Sequence, residues 1–176
     1  MGAKSRTPPS AVHGLHESIA QGLLKEARAL LREGASVQQP NDNNWVPLLY
    51  AAQNGSEEAV KLLLQHGASA NAADDSGRTA LHYATRAGSK ACIAALLSHG
   101  AKTAAVDDKQ RTPLHVAAHS GHADCLKVLL EQDTPVDAKA VNAMTPLGVA
   151  ARAGQDKCVA LLLDFGADIS ESHIQW

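Results

Sequence analysis

Aromatic residues are scarce in this chain: they make up 3% of its 176 residues, with a single phenylalanine. Sheet sandwiches and barrels favour aromatic and β-branched side chains, so the deficit argues against that class. A dominant charge is also missing. Sixteen Lys and Arg stand against eighteen Asp and Glu, a net charge of −2, which leaves no bulk electrostatic footprint for nucleic acid. No apolar run approaches the length of a membrane span. The N-terminal stretch Met1–Gly14 lacks the apolar segment of a secretory signal. Although it starts Met-Gly, Arg6 stands where a myristoylation signal needs Ser or Thr. Three cysteines, with no CxxC pair, do not make a disulfide framework, and a cytoplasmic or nuclear location is expected. What the chain does have is 45% hydrophobic residues, rich in Ala and Leu, which suit closely packed helices.

Internal repetition is the dominant signal. Gly22, Gly55, Gly88, Gly121 and Gly154 recur at one constant step along the chain. Leu15, Leu48, Leu81, Leu114 and Leu147 keep the same step, as do Leu30, Leu63, Leu96, Leu129 and Leu162. Three registers agree without an insertion, which marks an array of one supersecondary unit. Within a unit, Thr79 stands at a helix N-cap position. A short apolar helix follows and stops at Gly88, a residue that tolerates left-handed closure. A second helix is predicted from about Ser89 to His99, closed by Gly100. Ile93, Leu96 and Leu97 share one of its faces. Helices this short are marginal alone, so each must bury its apolar stripe against neighbours. The expected fold is an all-α solenoid of five helix-turn-helix units joined by hairpin-like loops.

The segments RTPLHVAAHSGHADCLKVLL and RTALHYATRAGSKACIAALLSHGA resemble the ankyrin repeat in their T-P-L-H-x-A signature. The constant step between units also agrees with that family's period of about 33 residues. The resemblance covers residues 12–169, with repeats at approximately 12–39, 40–72, 73–105, 106–138 and 139–169. The unit from about Asp107 to Val136 is closest to the signature. Others depart from it, at His13-Gly14-Leu15-His16, Val46-Pro47-Leu48-Leu49 and Thr145-Pro146-Leu147-Gly148. Residues 1–11, with Pro8, Pro9 and Ser10, read as a flexible tail. Lys25, Glu26, Arg28, Arg32 and Glu33 make the second helix of the first unit polar, which suits an N-terminal cap. The last unit is as apolar as an interior one, through Leu161, Leu162, Leu163 and Phe165. Residues 170–176 therefore read as a C-terminal tail or the opening of a further hairpin. Continuation of the chain is favoured over closure by Ile174 or Trp176.

Cys92, Cys125 and Cys158 recur at the same step. Neighbouring helices pack about 8–10 Å apart, whereas a disulfide needs Cα atoms within about 7 Å, so these thiols are expected as small packing groups. The resemblance implies that His82 and His115, with His16 in the divergent first unit, are structural and bond the backbone near the next hairpin. His115, His119, His122 and Cys125 have metal-like spacing, but the break at Gly121 divides them and no metal site is expected. No cofactor is implied. No Walker loop, G-x-S-x-G or H-E-x-x-H occurs, so an enzyme is not expected.

The resemblance also implies that a partner lies on the concave face, lined by hairpin tips and first helices. Three rows of residues map there: Asp42, Asp75, Asp108 and Val141; Trp45, Arg78, Arg111 and Met144; Gln53, Arg86, His119 and Arg152. Acidic hairpin tips face a basic helix side, which suits a protein or peptide with an acidic stretch. Trp45 is either a binding residue or a cap over the N-terminal end. Arg78 and Arg111 are either binding residues or solvated side chains stitched by Asp75 and Asp108. Tyr50 and Tyr83 are expected to pack in the core. The fourth hairpin, with Ala140 and Ala143 replacing the Asp74 and Gly77 columns and with Asp133 in a glycine column, is expected to have altered geometry. Asn71 resembles a position open to asparaginyl hydroxylation, though Ser69 replaces the usual acidic residue. The expected function is a protein-interaction scaffold or adaptor, monomeric and not membrane-bound. The alternative is the substrate-recognition module of a ubiquitin ligase or regulatory complex, although no ligase-recruiting segment occurs within these 176 residues. Nucleic-acid binding ranks lower, since aromatic interleaving is missing, and an engineered array lower still, since the units differ.

Overall fold

The structure, a computed structural model, describes residues 14–170. The expected tail over 1–11, His13, and the segment 171–176 with Ile174 and Trp176 lie outside the described residues. Ten helices form five pairs among the described residues: α1 (Leu15–Ala20) with α2 (Leu24–Arg32), α3 (Pro47–Gln53) with α4 (Glu57–Gln65), α5 (Ala80–Arg86) with α6 (Lys90–Ser98), α7 (Pro113–Ser120) with α8 (Ala123–Leu130), and α9 (Pro146–Arg152) with α10 (Asp156–Asp164).

The helix limits follow from local chemistry. Pro47, Pro113 and Pro146 open first turns, where a missing N–H costs nothing. The Ser56 and Ser89 hydroxyls accept from the Ala59 and Cys92 amides at 3.4 and 3.3 Å, capping α4 and α6. Each pair turns on a glycine at positive φ, from 65° at Gly55 to 73° at Gly22 and Gly121, which reverses the chain without strain.

First helices stack in the order α1, α3, α5, α7, α9, and second helices in the order α4, α6, α8, α10. One core runs the length of the stack. Leu48, Leu81 and Leu114 are fully buried in the inner layer, and Leu63, Leu96, Leu129 and Leu162 in the outer. Each such leucine contributes roughly 1.5–3 kcal/mol by burial. The first pair is thinner: α2 buries only Ala27 and Leu31, and Leu30 is half-buried. At the other end Leu163 and Phe165 are exposed. Cys92, Cys125 and Cys158 are free and buried, and burial pushes all three thiols up.

The hairpins contain no ladder of any length among the described residues. An isolated bridge joins Ala73 and Thr79. The tip is a tight loop in which the amide of Asp74 donates to the Arg78 carbonyl at 3.0 Å, as Asp107 does to Arg111 and Ala140 to Met144. The residue before Trp45, Arg78, Arg111 and Met144, where each tip closes, has positive φ in all four loops: Asn44, Gly77, Gln110 and Ala143. The fourth hairpin therefore keeps the common geometry, contrary to expectation. Its backbone bonds survive the loss of the aspartate, and Ala143 adopts the left-handed angle. The departure lies earlier, at the end of α8. Asp133 does not take the left-handed angle that Gly67, Gly100 and Gly166 take. The Thr134 hydroxyl instead donates to the Leu129 carbonyl at 2.7 Å, replacing the amide bond that Ala101 makes to Leu96.

Candidate partner-binding groove

The groove begins with two buried carboxylates at hairpin tips. Asp74 accepts from the amides of Ser76 and Arg78, each at 2.9 Å, from Arg78 Nε at 3.0 Å and from the Tyr83 hydroxyl at 2.6 Å. Asp107 accepts from the amides of Lys109 and Arg111 at 2.9 Å, and from Arg111 Nε at 2.8 Å and Nη2 at 2.6 Å. Burial pushes both carboxyls up, but these bonds and the arginine charges outweigh it and hold both below the ordinary carboxylate range. Arg78 and Arg111 are thus paired with Asp74 and Asp107. The sequence had pointed to Asp75 and Asp108, one position along. Those side chains turn out to solvent, and Asp75 accepts from Asn44 Nδ2 at 2.6 Å.

Two histidines lock the floor. The Nδ1 atoms of His82 and His115 accept from the amides of Thr79 and Thr112, at 3.2 and 3.1 Å. Their Nε2–H groups donate across to the carbonyls of Arg111 and Met144, at 2.9 and 3.0 Å. Both rings are buried, and burial first of all holds them below the ordinary histidine value, neutral, as this donor–acceptor pattern requires. The bond to the next hairpin implied by the resemblance is therefore present at both. It is absent at His16, whose Nε2 is buried with no hydrogen-bond partner among the described residues.

Above this floor lies a cavity of about 560 Å³, reaching from α5 to α9. Its apolar lining comes from Tyr83, Val116, Val149 and Met144, and its rim from the guanidinium groups of Arg78, Arg86, Arg111 and Arg152 and the imidazole of His119. Among the described residues, neither Arg86 nor Arg152 has a carboxylate within ion-pair reach. The backbone beneath this rim is pinned. His122 Nε2 donates to the Arg86 carbonyl at 3.2 Å, and Gln155 Nε2 to the His119 carbonyl at 3.4 Å.

Of the expected site residues, Arg78, Arg86, Arg111, His119, Met144 and Arg152 meet at this cavity. Asp42, Gln53, Asp75 and Asp108 are exposed elsewhere along the same face and do not line it. Trp45 does not fold over the N-terminal end. Its ring lies 4.8 Å from Tyr50 and 4.8 Å from Tyr83, bridging the second and third pairs, and Arg78 sits over Tyr83 at 5.4 Å. Tyr83 is buried as expected, and its column continues into Val116 and Val149 as the groove floor, a role that period alone does not distinguish from core. Asn71 is exposed, donates to the Gly100 carbonyl at 3.0 Å and accepts from the Lys102 amide at 2.9 Å. No group of three or more metal-ligating side chains gathers among the described residues, and no described helix is long and apolar enough to cross a membrane.

A stack of short helix pairs, with a bonded hairpin at each joint and a groove along one side, defines a class of repeat solenoid. The family model for ankyrin repeats, which spans three copies of the repeat, matches residues 15–107 and 102–173, and the chain belongs to that family. Its members are generally protein–protein interaction modules and typically not enzymes. No curated protein matches the chain.

Proposed function

We propose that the protein is an interaction scaffold or adaptor that holds an acidic, partly apolar stretch of a partner protein in the groove between α5 and α9. The observation that carries this reading is the pair of unpartnered guanidinium groups, Arg86 and Arg152, at the rim of an apolar floor. Arg78 and Arg111 are already neutralised by buried carboxylates, so an incoming anion gains most from the other two. Arginine holds a carboxylate through two parallel hydrogen bonds, and arginine and aromatic side chains dominate interface energetics. Trp45, Asp42, Gln53, Asp75 and Asp108 extend the same face as flanking contacts. The free buried thiols accord with a reducing compartment, the cytoplasm or nucleus. Asn71 is proposed as a modification site on resemblance alone, and a modifying enzyme would have to unclip its amide from Gly100 and Lys102.

The test is a fluorescence-anisotropy titration of labelled acidic and neutral peptides of equal apolar content. Arg86→Ala with Arg152→Ala is expected to weaken the acidic peptide by about 2 kcal/mol and to leave the melting temperature unchanged. Equal binding of acidic and neutral peptides would remove the proposal.

A further inference from the structure

Arg86, His119 and Arg152 occupy one register position in three successive units, in the last turns of α5, α7 and α9. The two unpartnered arginines are therefore separated by two helix spacings, roughly 16–20 Å at about 8–10 Å per spacing. His119 stands between them in the row, and the floor of Tyr83, Val116 and Val149 runs alongside it, one turn earlier on each helix. An extended chain advances about 3.3 Å per residue and turns alternate side chains to one face. Six residues span about 20 Å and return the side chain to the starting face; four span about 13 Å and fall short. Residues two and four along then face the apolar floor.

We infer that the groove selects an extended partner segment by spacing, with one acidic residue on Arg86, a second six positions away on Arg152, and apolar residues at the second and fourth positions between them. This rests on the acidic-segment reading above and adds a ruler to it. The pinned carbonyls of Arg86 and His119 and the two histidine bonds keep the ruler's length fixed.

The experiment uses the full chain and five labelled peptides at near-physiological salt. Three carry two aspartates four, six or eight positions apart around the same apolar residues, the fourth carries one aspartate and the fifth is neutral. The six-spaced peptide is expected to bind about tenfold tighter than the others, the factor that one further charge-assisted contact brings. Arg152→Ala is expected to reduce it to the level of the single-aspartate peptide, with an unchanged circular-dichroism melt. Equal binding at all three spacings would overturn the ruler while leaving an acidic partner in place. Failure of every acidic peptide to exceed a neutral one would overturn both readings. A single-stranded oligonucleotide that binds tighter than the six-spaced peptide would replace the partner with a nucleic acid.

Discussion

The joint between the second and third helix pairs is held at both edges, and the joint between the third and fourth at the groove edge. At the former, Asn71 clips the loop edge through Gly100 and Lys102, while Leu49 stands where a histidine would reach across the groove edge. There the Trp45–Tyr83 contact and the Asn44–Asp75 bond do the bridging. At the latter, His82 crosses the groove edge to Arg111, and the Asp108 amide donates to the Ser76 carbonyl at 2.8 Å. Its loop edge lacks the clip: Ala104 replaces the asparagine, and Pro135, in the column of Lys102, has no N–H to offer. Beneath the cavity the joint is thus tied from the groove side, and the loop edge behind it does without the side-chain clip.

Leu129→Ala is the bluntest way to break this comparison, because α8 supports the joints on both sides of the fourth pair. It is expected to cost about 2–5 kcal/mol in a urea melt, and an unchanged midpoint would contradict its burial. Finer resolution comes from the two clips themselves. His82→Ala leaves a void and an unmet buried carbonyl, with an expected loss of about 2–3 kcal/mol, whereas exposed Asn71→Ala is expected to lose about 1 kcal/mol. The reverse ranking would mean that the loop edge, not the groove edge, carries the stack.

Acid should act on the histidine-held joints first. The unfolded chain protonates these imidazoles near 6.5, while burial keeps the folded rings neutral to lower pH. Their contribution is therefore full above pH 6.5 and is lost as pH falls towards the depressed folded values. The Asp74 and Asp107 carboxyls begin to cost stability only below their ordinary value of 3.8. Between pH 7.5 and 5.5 the melting temperature should fall more in the parent than in a His82→Gln, His115→Gln variant; equal slopes would discount the histidines. The smallest effect expected is a gain. Ala104→Asn with Pro135→Lys supplies the missing clip and should add about 1 kcal/mol. Ala104→Asn alone should add less, since it would find no amide at position 135.

Much of the fold was legible because a strict period forces it. The leucine registers, the glycines at pair turns and the threonine caps each state a local rule, and the rules agree. The site was only half legible. Register placed Arg86, His119 and Arg152 in one row, and they share the groove rim. It could not tell Asp74 from Asp75 as the partner of Arg78, because that depends on which carboxylate the tight hairpin turns inward. Nor could it show that Trp45 would spend its ring on Tyr50 and Tyr83. The turn at Ala143 is not legible from composition because a backbone-bonded loop can impose a left-handed angle on alanine, at about 1 kcal/mol.

By itself the sequence determined the unit and its length, since short helices with one apolar stripe have no stable alternative to stacking on copies of themselves. Tertiary structure decided which charges are spent and which stay available. Pairing depends on burial and direction in space: the column of Arg78 and Arg111 becomes a structural tie because a buried carboxylate lies within reach of each, and the column of Arg86 and Arg152 has no such carboxylate among the described residues.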